Sequence, residues 1–509
     1  MAVLEQLGQD RRFEGSFEYK AAATMSRSVS ASVGALISVG IRWIDRLVGV
    51  VSTIILARLL VPEDFGIIAM ASLLIGLIEV LLDMGVNFTL VQNKHATQDD
   101  FDAAWTLRLI QTCLASVVVF LAAYPAAEYF RDPRVAGVVQ VLSVWVLLGG
   151  FENIGIVNFQ KKMEFGQEFR FFFGKRISGF LITIMSAWYL HSYWALVIGA
   201  LAGRAVGVGL SYAMHPMRPR LSVVRMKSML SFSTWNLFRG IGGYLAENLH
   251  RLLVGGREST AVMGFYNLAS EIAAMPSTEL LAPMNRVMFP LFVAIKDDAE
   301  ELKRMFLLAI GVQTMVGVPA AVGLALVAPE LVLTLLGERW MATIPFIQIM
   351  GGINILWALS ASGMYLLFAL GRAKMTALQT WSQVVMFVAL ALLLIPEGGA
   401  MAIAKLRLGV AAAGLLTFVF LIRREKKTWR LGEMLACAWR PCVAAALMAF
   451  ALMALPDMTF LPAVVQLLLK TTLGVMVYIA TVLLLWWMGG RRDGAEAYLL
   501  GKVRAMLKR

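Results

Sequence analysis

The sequence predicts an all-α, polytopic membrane protein, and three observations carry that prediction. Hydrophobic residues make up 59% of the 509 residues and charged ones only 16%, against about 45–50% and 25% in soluble domains. Mean hydropathy is +0.73. Runs of roughly 20 apolar residues, the length that spans a bilayer as a helix, follow one another with short polar stretches between them. Soluble folds are excluded on these grounds.

Taken in order, the expected spans lie at about 33–57, 66–91, 103–127, 134–158, 170–190, 193–213, 231–254, 262–292, 304–328, 341–369, 374–395, 399–422, 435–455 and 463–488, so about 14 transmembrane helices are predicted. The eighth is long and interrupted by Pro276, Pro283 and Pro290. Proline removes a backbone hydrogen bond and bends a spanning helix, so a kink is expected there. Residues 1–32 have no apolar core, which excludes a cleaved signal peptide and reads as a cytoplasmic tail or a short interfacial helix.

The basic residues set the orientation. With the N-terminus cytoplasmic, 28 Lys and Arg fall in inside segments and five (Arg58, Arg131, Arg134, Arg257, Arg339) in outside ones. That bias places both termini in the cytoplasm. It also accounts for the net charge of +13 without nucleic acid as a partner. The loops are too short to hold a folded domain, so the protein's work is expected within the membrane.

Charges at membrane depth single out the candidate site. Each costs about 3 kcal/mol or more unless it is paired or faces water. Arg42, Asp45 and Arg46 share one helical face, and Glu79 and Asp83 share another. In antiparallel neighbours Arg42 is level with Asp83, and Arg46 with Glu79. Further along come Arg108, Glu152, Arg204, Arg239, Glu247, Arg251 and Glu271. Lys175, Arg176 and Lys470 lie near helix ends and are expected to snorkel to headgroups. Arginine stays charged and grips phosphate oxygens bidentately. Hence Arg42, Arg46, Arg108, Arg204, Arg239 and Arg251 are candidate substrate-binding residues. Asp45, Glu79, Asp83, Glu152, Glu247 and Glu271 are candidates for charge pairing or ion coupling. Purely structural neutralisation of the arginines by these acids stays open at this point.

Other chemistries find little support. Cys113, Cys437 and Cys442 lack metal-ligand or redox spacing, and the four histidines are scattered, so neither metal nor cofactor is expected. Asp99, Asp100 and Asp102 precede an apolar run and read as a helix N-terminus. A phosphate loop of the G-x-x-x-x-G-K type is missing, which argues against ATP hydrolysis.

A short internal repeat is visible. ARLLVPEDFGIIAMAS (57–72) and HRLLVGGRESTAVMGFYNLAS (250–270) share R-L-L-V, a polar turn, a Gly–aromatic pair and a small-residue end. Six helices separate them, as in transporters built from parallel repeats. The basic stretch 214–230 then reads as a linker between an N-lobe, 33–213, and a C-lobe, 231–422.

The run ILARLLVPEDFGIIAMASLLIGLIEVLLDMGVNFTLVQ (55–92) resembles the start of bacterial lipid-linked oligosaccharide flippases, the polysaccharide-biosynthesis branch of the multidrug/oligosaccharidyl-lipid/polysaccharide exporter superfamily. Arg58 to Gly66 match its R-L-L-x-P-x-D-F/Y-G turn. Gly264, Phe265, Tyr266, Asn267 and Ala269 match the opening of its eighth helix, and Met288-Phe289-Pro290 that helix's end. The resemblance implies two six-helix lobes around a central cavity with alternating access, accessory helices over 423–488, and a basic tail over 489–509. It implies a non-enzymatic flippase of the inner membrane. The substrate would be an undecaprenyl-diphosphate-linked oligosaccharide destined for exopolysaccharide, capsule or O-antigen. Membrane lipid, a coupling cation (H+ or Na+) and a polysaccharide polymerase are the other candidate partners. The alternatives are a lipid II flippase or an ion-coupled drug antiporter of the same superfamily, and more remotely a membrane polymerase or ligase.

Overall fold

The computed structural model describes residues 46–82, 90, 96–162, 164–224, 226, 234–426, 429–456, 458, 460–490 and 494–507. Among them all regular structure is helical. The first half carries α1 (46–59), α2 (Pro62–Leu82), α3 (Gln98–Leu121), α4 (Ala123–Phe130), α5 (Arg134–Gly150), α6 (Val157–Lys161), α7 (Phe165–Leu190) and α8 (Trp194–Met214). After the basic stretch follow α9 (Thr234–Arg257), α10 (Thr260–Met275), α11 (Ala282–Ala294), α12 (Ala299–Leu326), α13 (Ala328–Leu335), α14 (Ile344–Ala369), α15 (Ala373–Leu394), α16 (Ala400–Glu425), α17 (Leu431–Met453), α18 (Ala463–Met488) and α19 (Ala495–Leu507).

Among the described residues nine helices are long and apolar enough to cross a membrane, ten if the bent pair Arg134–Gly150 and Ile154–Lys161 forms one crossing. Of the other expected spans, the first (33–57) lies partly outside the described residues, and the rest fall on helices that carry charges, such as α7 and α9, or that are interrupted. The eighth span is the interrupted one. α10 runs into a single turn of π-helix, Pro276–Leu281, before α11 resumes. Pro276 has no N–H to continue the ladder, and a widened turn is one way to absorb that.

The chain divides into two compact units. One comprises the described residues of Met1–Leu56, Asp83–Val118 and Val141–Phe232; the other those of Ala57–Leu82, Val119–Gln140 and Ser233–Arg509.

In the first unit α7 and α8 form a close antiparallel hairpin. A Cβ on Gly203 would lie 3.1 Å from the Gly179 Cα, and one on Gly199 would strike the Thr183 hydroxyl. Small residues let helix backbones approach in lipid, where no hydrophobic force drives them together. Asn153 fixes the bend after α5: its side chain accepts from Gly155 N at 2.9 Å and donates to Met217 O at 2.7 Å. The acidic start of α3 works as a cap, as its sequence suggests. Asp100 accepts from Thr97 N at 2.7 Å. Asp102 has a second task, accepting from Arg220 N at 3.1 Å and so tying down the basic stretch.

In the second unit the two repeat segments pack against each other. A Cβ on Gly66 would lie 1.8 Å from the Thr260 carbonyl oxygen, and one on Gly264 would lie 2.0 Å from that of Pro62. Pro62 and Thr260 each open their helix, and each glycine follows four residues later. The contact is therefore reciprocal, a local two-fold between α2 and α10. Trp340, wholly buried, donates to Ala57 O at 2.9 Å. It meets Phe65 and Phe265 edge-on at 5.0 and 5.9 Å. Arg58 donates to the carbonyls of Thr334 at 2.6 Å and Leu335 at 3.2 Å, capping α13. The accessory helices attach through α12: Ala444, Met448 and Leu452 of α17 pack with Val318, and Tyr478 of α18 donates to Met315 O at 2.8 Å.

Candidate functional site

Three expected site residues, Arg42, Asp45 and Asp83, lie outside the described residues. Arg46 opens α1 in the first unit, and Glu79 lies on α2 in the second. Glu271 accepts from Asn267 Nδ2 at 2.9 Å on α10. Arg239 lies on α9. The rest gather in two clusters, one in each unit.

The first cluster surrounds Glu152, at the bend after α5. Lys175 of α7 binds its carboxylate at 2.8 Å. Arg108 of α3 and Arg204 of α8 also act on it electrostatically. The Arg204 guanidinium lies 4.2 Å from the Trp145 ring centre, and its Nε donates to Trp145 O at 3.4 Å. Gly149 makes room for it, since a Cβ there would lie 2.3 Å from the Arg204 Nη2. Sequence reasoning brought Glu152, Arg108 and Arg204 forward but misjudged Lys175. Rather than snorkelling out, Lys175 turns along the bundle to the buried carboxylate, a stronger attraction than a hydrated headgroup. Lys470 departs from expectation in the same way, pairing with the buried Glu330 of α13.

Beside this cluster lies a cavity of about 600 Å³ between α1, α5, α7 and α8. Lys175, Arg176 and Arg204 line it together with Trp145, Phe169, Phe172, Phe173 and Phe180. Arg108, Lys175 and Arg204 all act on the Glu152 carboxylate, so charged groups of both signs meet beside the cavity. The aromatic faces offer apolar and CH-rich partners a surface next to it.

The second cluster centres on α9. Glu247 is exposed, and Arg251 half-buried beside it. His250 is only 2% exposed, and its Nδ1 lies 2.8 Å from the hydroxyl of Tyr266 on α10. Arg407 of α16 and Arg251 both act electrostatically on His250 and Tyr266. Tyr244 donates to Leu73 O of α2 at 2.5 Å and feels Arg251, Glu247 and Glu79. His250, Tyr266 and Arg407 were not among the expected site residues. The available signals were the shared face of Glu247, His250 and Arg251, and the place of Tyr266 in the family-like motif.

Residues 55–345, more than half of the chain, match the family described as polysaccharide biosynthesis protein. The chain belongs to that family. Among curated relatives, the lipopolysaccharide biosynthesis protein WzxC of Escherichia coli (strain K12) is 26% identical over 338 residues, 65% of this chain and 67% of the relative. The succinoglycan biosynthesis transport protein ExoT of Rhizobium meliloti (strain 1021) is 22% identical over 298 residues, 58% of this chain and 60% of the relative. The match to ExoT thus spans less than two thirds of that protein. Among solved structures, the lipid II flippase MurJ in an inward closed conformation superposes with a TM-score of 0.72 at 12% identity, covering 89% of this chain and 99% of that one. Family and fold agree with the resemblance read from 55–92 and 264–290. The chain is a multi-pass membrane protein of polysaccharide biosynthesis with a MurJ-like fold.

Proposed function

We propose that the protein is a flippase that moves polyprenyl-diphosphate-linked oligosaccharide repeat units across the inner membrane by alternating access, for exopolysaccharide, capsule or O-antigen assembly. One observation carries the reading: a cavity whose wall brings Lys175, Arg176 and Arg204 together with Trp145 and four phenylalanines. A diphosphate needs charge-assisted donors, a sugar suits aromatic faces, and an isoprenoid needs apolar walls. The cavity of the first unit offers all three. The transport and biosynthesis names of the relatives support the same reading. The grouped side chains are binding groups, which favours carriage over catalysis. The distribution of basic residues supports a cytoplasmic position for both termini. Without an ATP-binding loop in the sequence, the energy would come from an H+ or Na+ gradient or from consumption of the product by a polymerase.

The test is translocation in sealed proteoliposomes, with a fluorescent short-chain polyprenyl-diphosphate oligosaccharide and an external reducing quencher. Protein-dependent leaflet exchange, lost in Arg204→Gln, supports the proposal. Exchange of lipid II alone would reassign the substrate, and sugar transfer or chain elongation without exchange would overturn the flippase reading.

A further inference from the structure

Histidine 250 occupies an unusual place for an ionisable ring. It lies in mid-helix on α9, almost wholly buried, where any charge interacts strongly with its neighbours because little water screens it. One ring nitrogen is held by Tyr266 at 2.8 Å. The other, Nε2, is buried without a hydrogen-bond partner, and so is Nε of the adjacent Arg251. Buried polar atoms are nearly always satisfied, so orphaned ones ask for a partner, a water or an ion among the candidates. Among the described residues, the charged and titratable groups linked electrostatically to His250, Tyr244 or Tyr266 come from four helices. They are Glu79 on α2, Tyr244, Glu247 and Arg251 on α9, Tyr266 on α10, and Arg407 on α16.

We infer that His250, Tyr266, Arg251 and Arg407 form a site at which a proton and an oxyanion bind together, the proton on His250 and the anion against the two guanidinium groups. A protonated ring at Nε2 offers an N–H where the neutral ring offers a lone pair, and its charge attracts the same anion that the arginines attract. Each ligand therefore strengthens binding of the other, a reciprocity that linkage requires. Tyr266 fixes the ring so that Nε2 is the nitrogen left to take part. Glu247, exposed on the same helix face, supplies a counter-charge to Arg407 that an arriving anion replaces. Such a site ties proton uptake to the arrival of a phosphate-bearing cargo. Its residues all belong to the second unit, and its test does not depend on translocation.

The experiment is sulfate binding to the full-length protein in nanodiscs, read by thermal stabilisation at about pH 6 and about pH 8, on either side of the ordinary histidine range. Sulfate keeps its charge across that interval, so any pH dependence belongs to the protein. The native protein should bind sulfate at least about fivefold more tightly at the lower pH, the lower end of ordinary coupling between sites. His250→Gln should bind with the weaker affinity at both pH values. Tyr266→Phe, which keeps the ring packed but frees Nδ1, should shrink the difference. Arg251→Gln and Arg407→Gln should weaken sulfate throughout. Sulfate bound in the first unit is recognised by its loss in Arg204→Gln, and among the described residues no histidine lines that cavity. A pH dependence that survives intact in His250→Gln overturns the inference, as does an unchanged affinity in both arginine variants.

Discussion

Arg204 illustrates how much a single side chain carries in a site of low dielectric. Packed on Trp145 and acting on Glu152, it lines the cavity, and the proposed function has it hold an anion there. Arg204→Gln should weaken a soluble prenyl diphosphate about tenfold or more, the weight of one charge-assisted hydrogen bond, measured by titration calorimetry in detergent. Glu152→Gln should do the reverse and tighten the same ligand, because it removes the carboxylate that competes for Lys175. A Glu152→Gln protein with weaker binding would show that the acid positions the cations rather than offsetting them. A second residue-scale expectation concerns Asp132, between α4 and α5. Burial alone would raise its pKa. Hydrogen bonds from the Arg134 side chain at 2.7 Å and from the Thr260 hydroxyl at 2.7 Å outweigh that and hold the carboxyl below its usual range. A depressed carboxylate stabilises the folded state above its unfolded pKa and loses that contribution as pH falls through the folded value. Asp132→Asn should therefore cost about 1–3 kcal/mol at neutral pH. The difference should fade below about pH 4, as thermal unfolding across pH would show.

Elements here are joined by contacts that tolerate no extra atom. Gly66→Ala and Gly264→Ala each drive a methyl group into a backbone carbonyl, which no rotamer change relieves. Either should lower stability by about 3 kcal/mol or more. Gly209→Ala on α8 meets open space and should be neutral or slightly stabilising, by about 0.5 kcal/mol. Fluorescence-detected thermostability of the three variants compares them directly. Equal behaviour would mean that α2 and α10 part easily. The repeat was legible in 57–72 and 250–270 as similar words. That the two copies touch each other was not, because a repeat fixes what each segment can form and leaves open what it packs against. The interruption at Pro276 was legible, since a missing N–H acts locally.

For the molecule as a whole, the accessory helices are bound to the second unit by the Lys470–Glu330 pair and by packing of α17 and α18 on α12. Removing one partner of a buried pair strands the other, whereas removing both does not. Glu330→Gln or Lys470→Met alone should cost about 3–5 kcal/mol. The double variant should recover most of it, visible as retained thermostability and expression. A double variant no better than the singles would show that the pair contributes little beyond its side-chain packing.

Composition and periodicity determined the fold class, because a bilayer accepts few backbone solutions and long apolar runs leave only the helix. The turn Arg58–Gly66 and the opening of α10 likewise carried the family, since backbone contacts at Gly66 and Gly264 permit so few residues. Sequence also singled out Arg108, Glu152 and Arg204, which the structure brings near one another, because a charge at membrane depth is conspicuous wherever it points. It did not find Lys175 as the partner of Glu152, nor His250, Tyr266 and Arg407 as neighbours. Those pairings join α5 with α7, and α9 with α10 and α16, across separations set by helix packing. Spacing along one helix reveals which residues share its face, whereas the face opposite is chosen only when the bundle assembles.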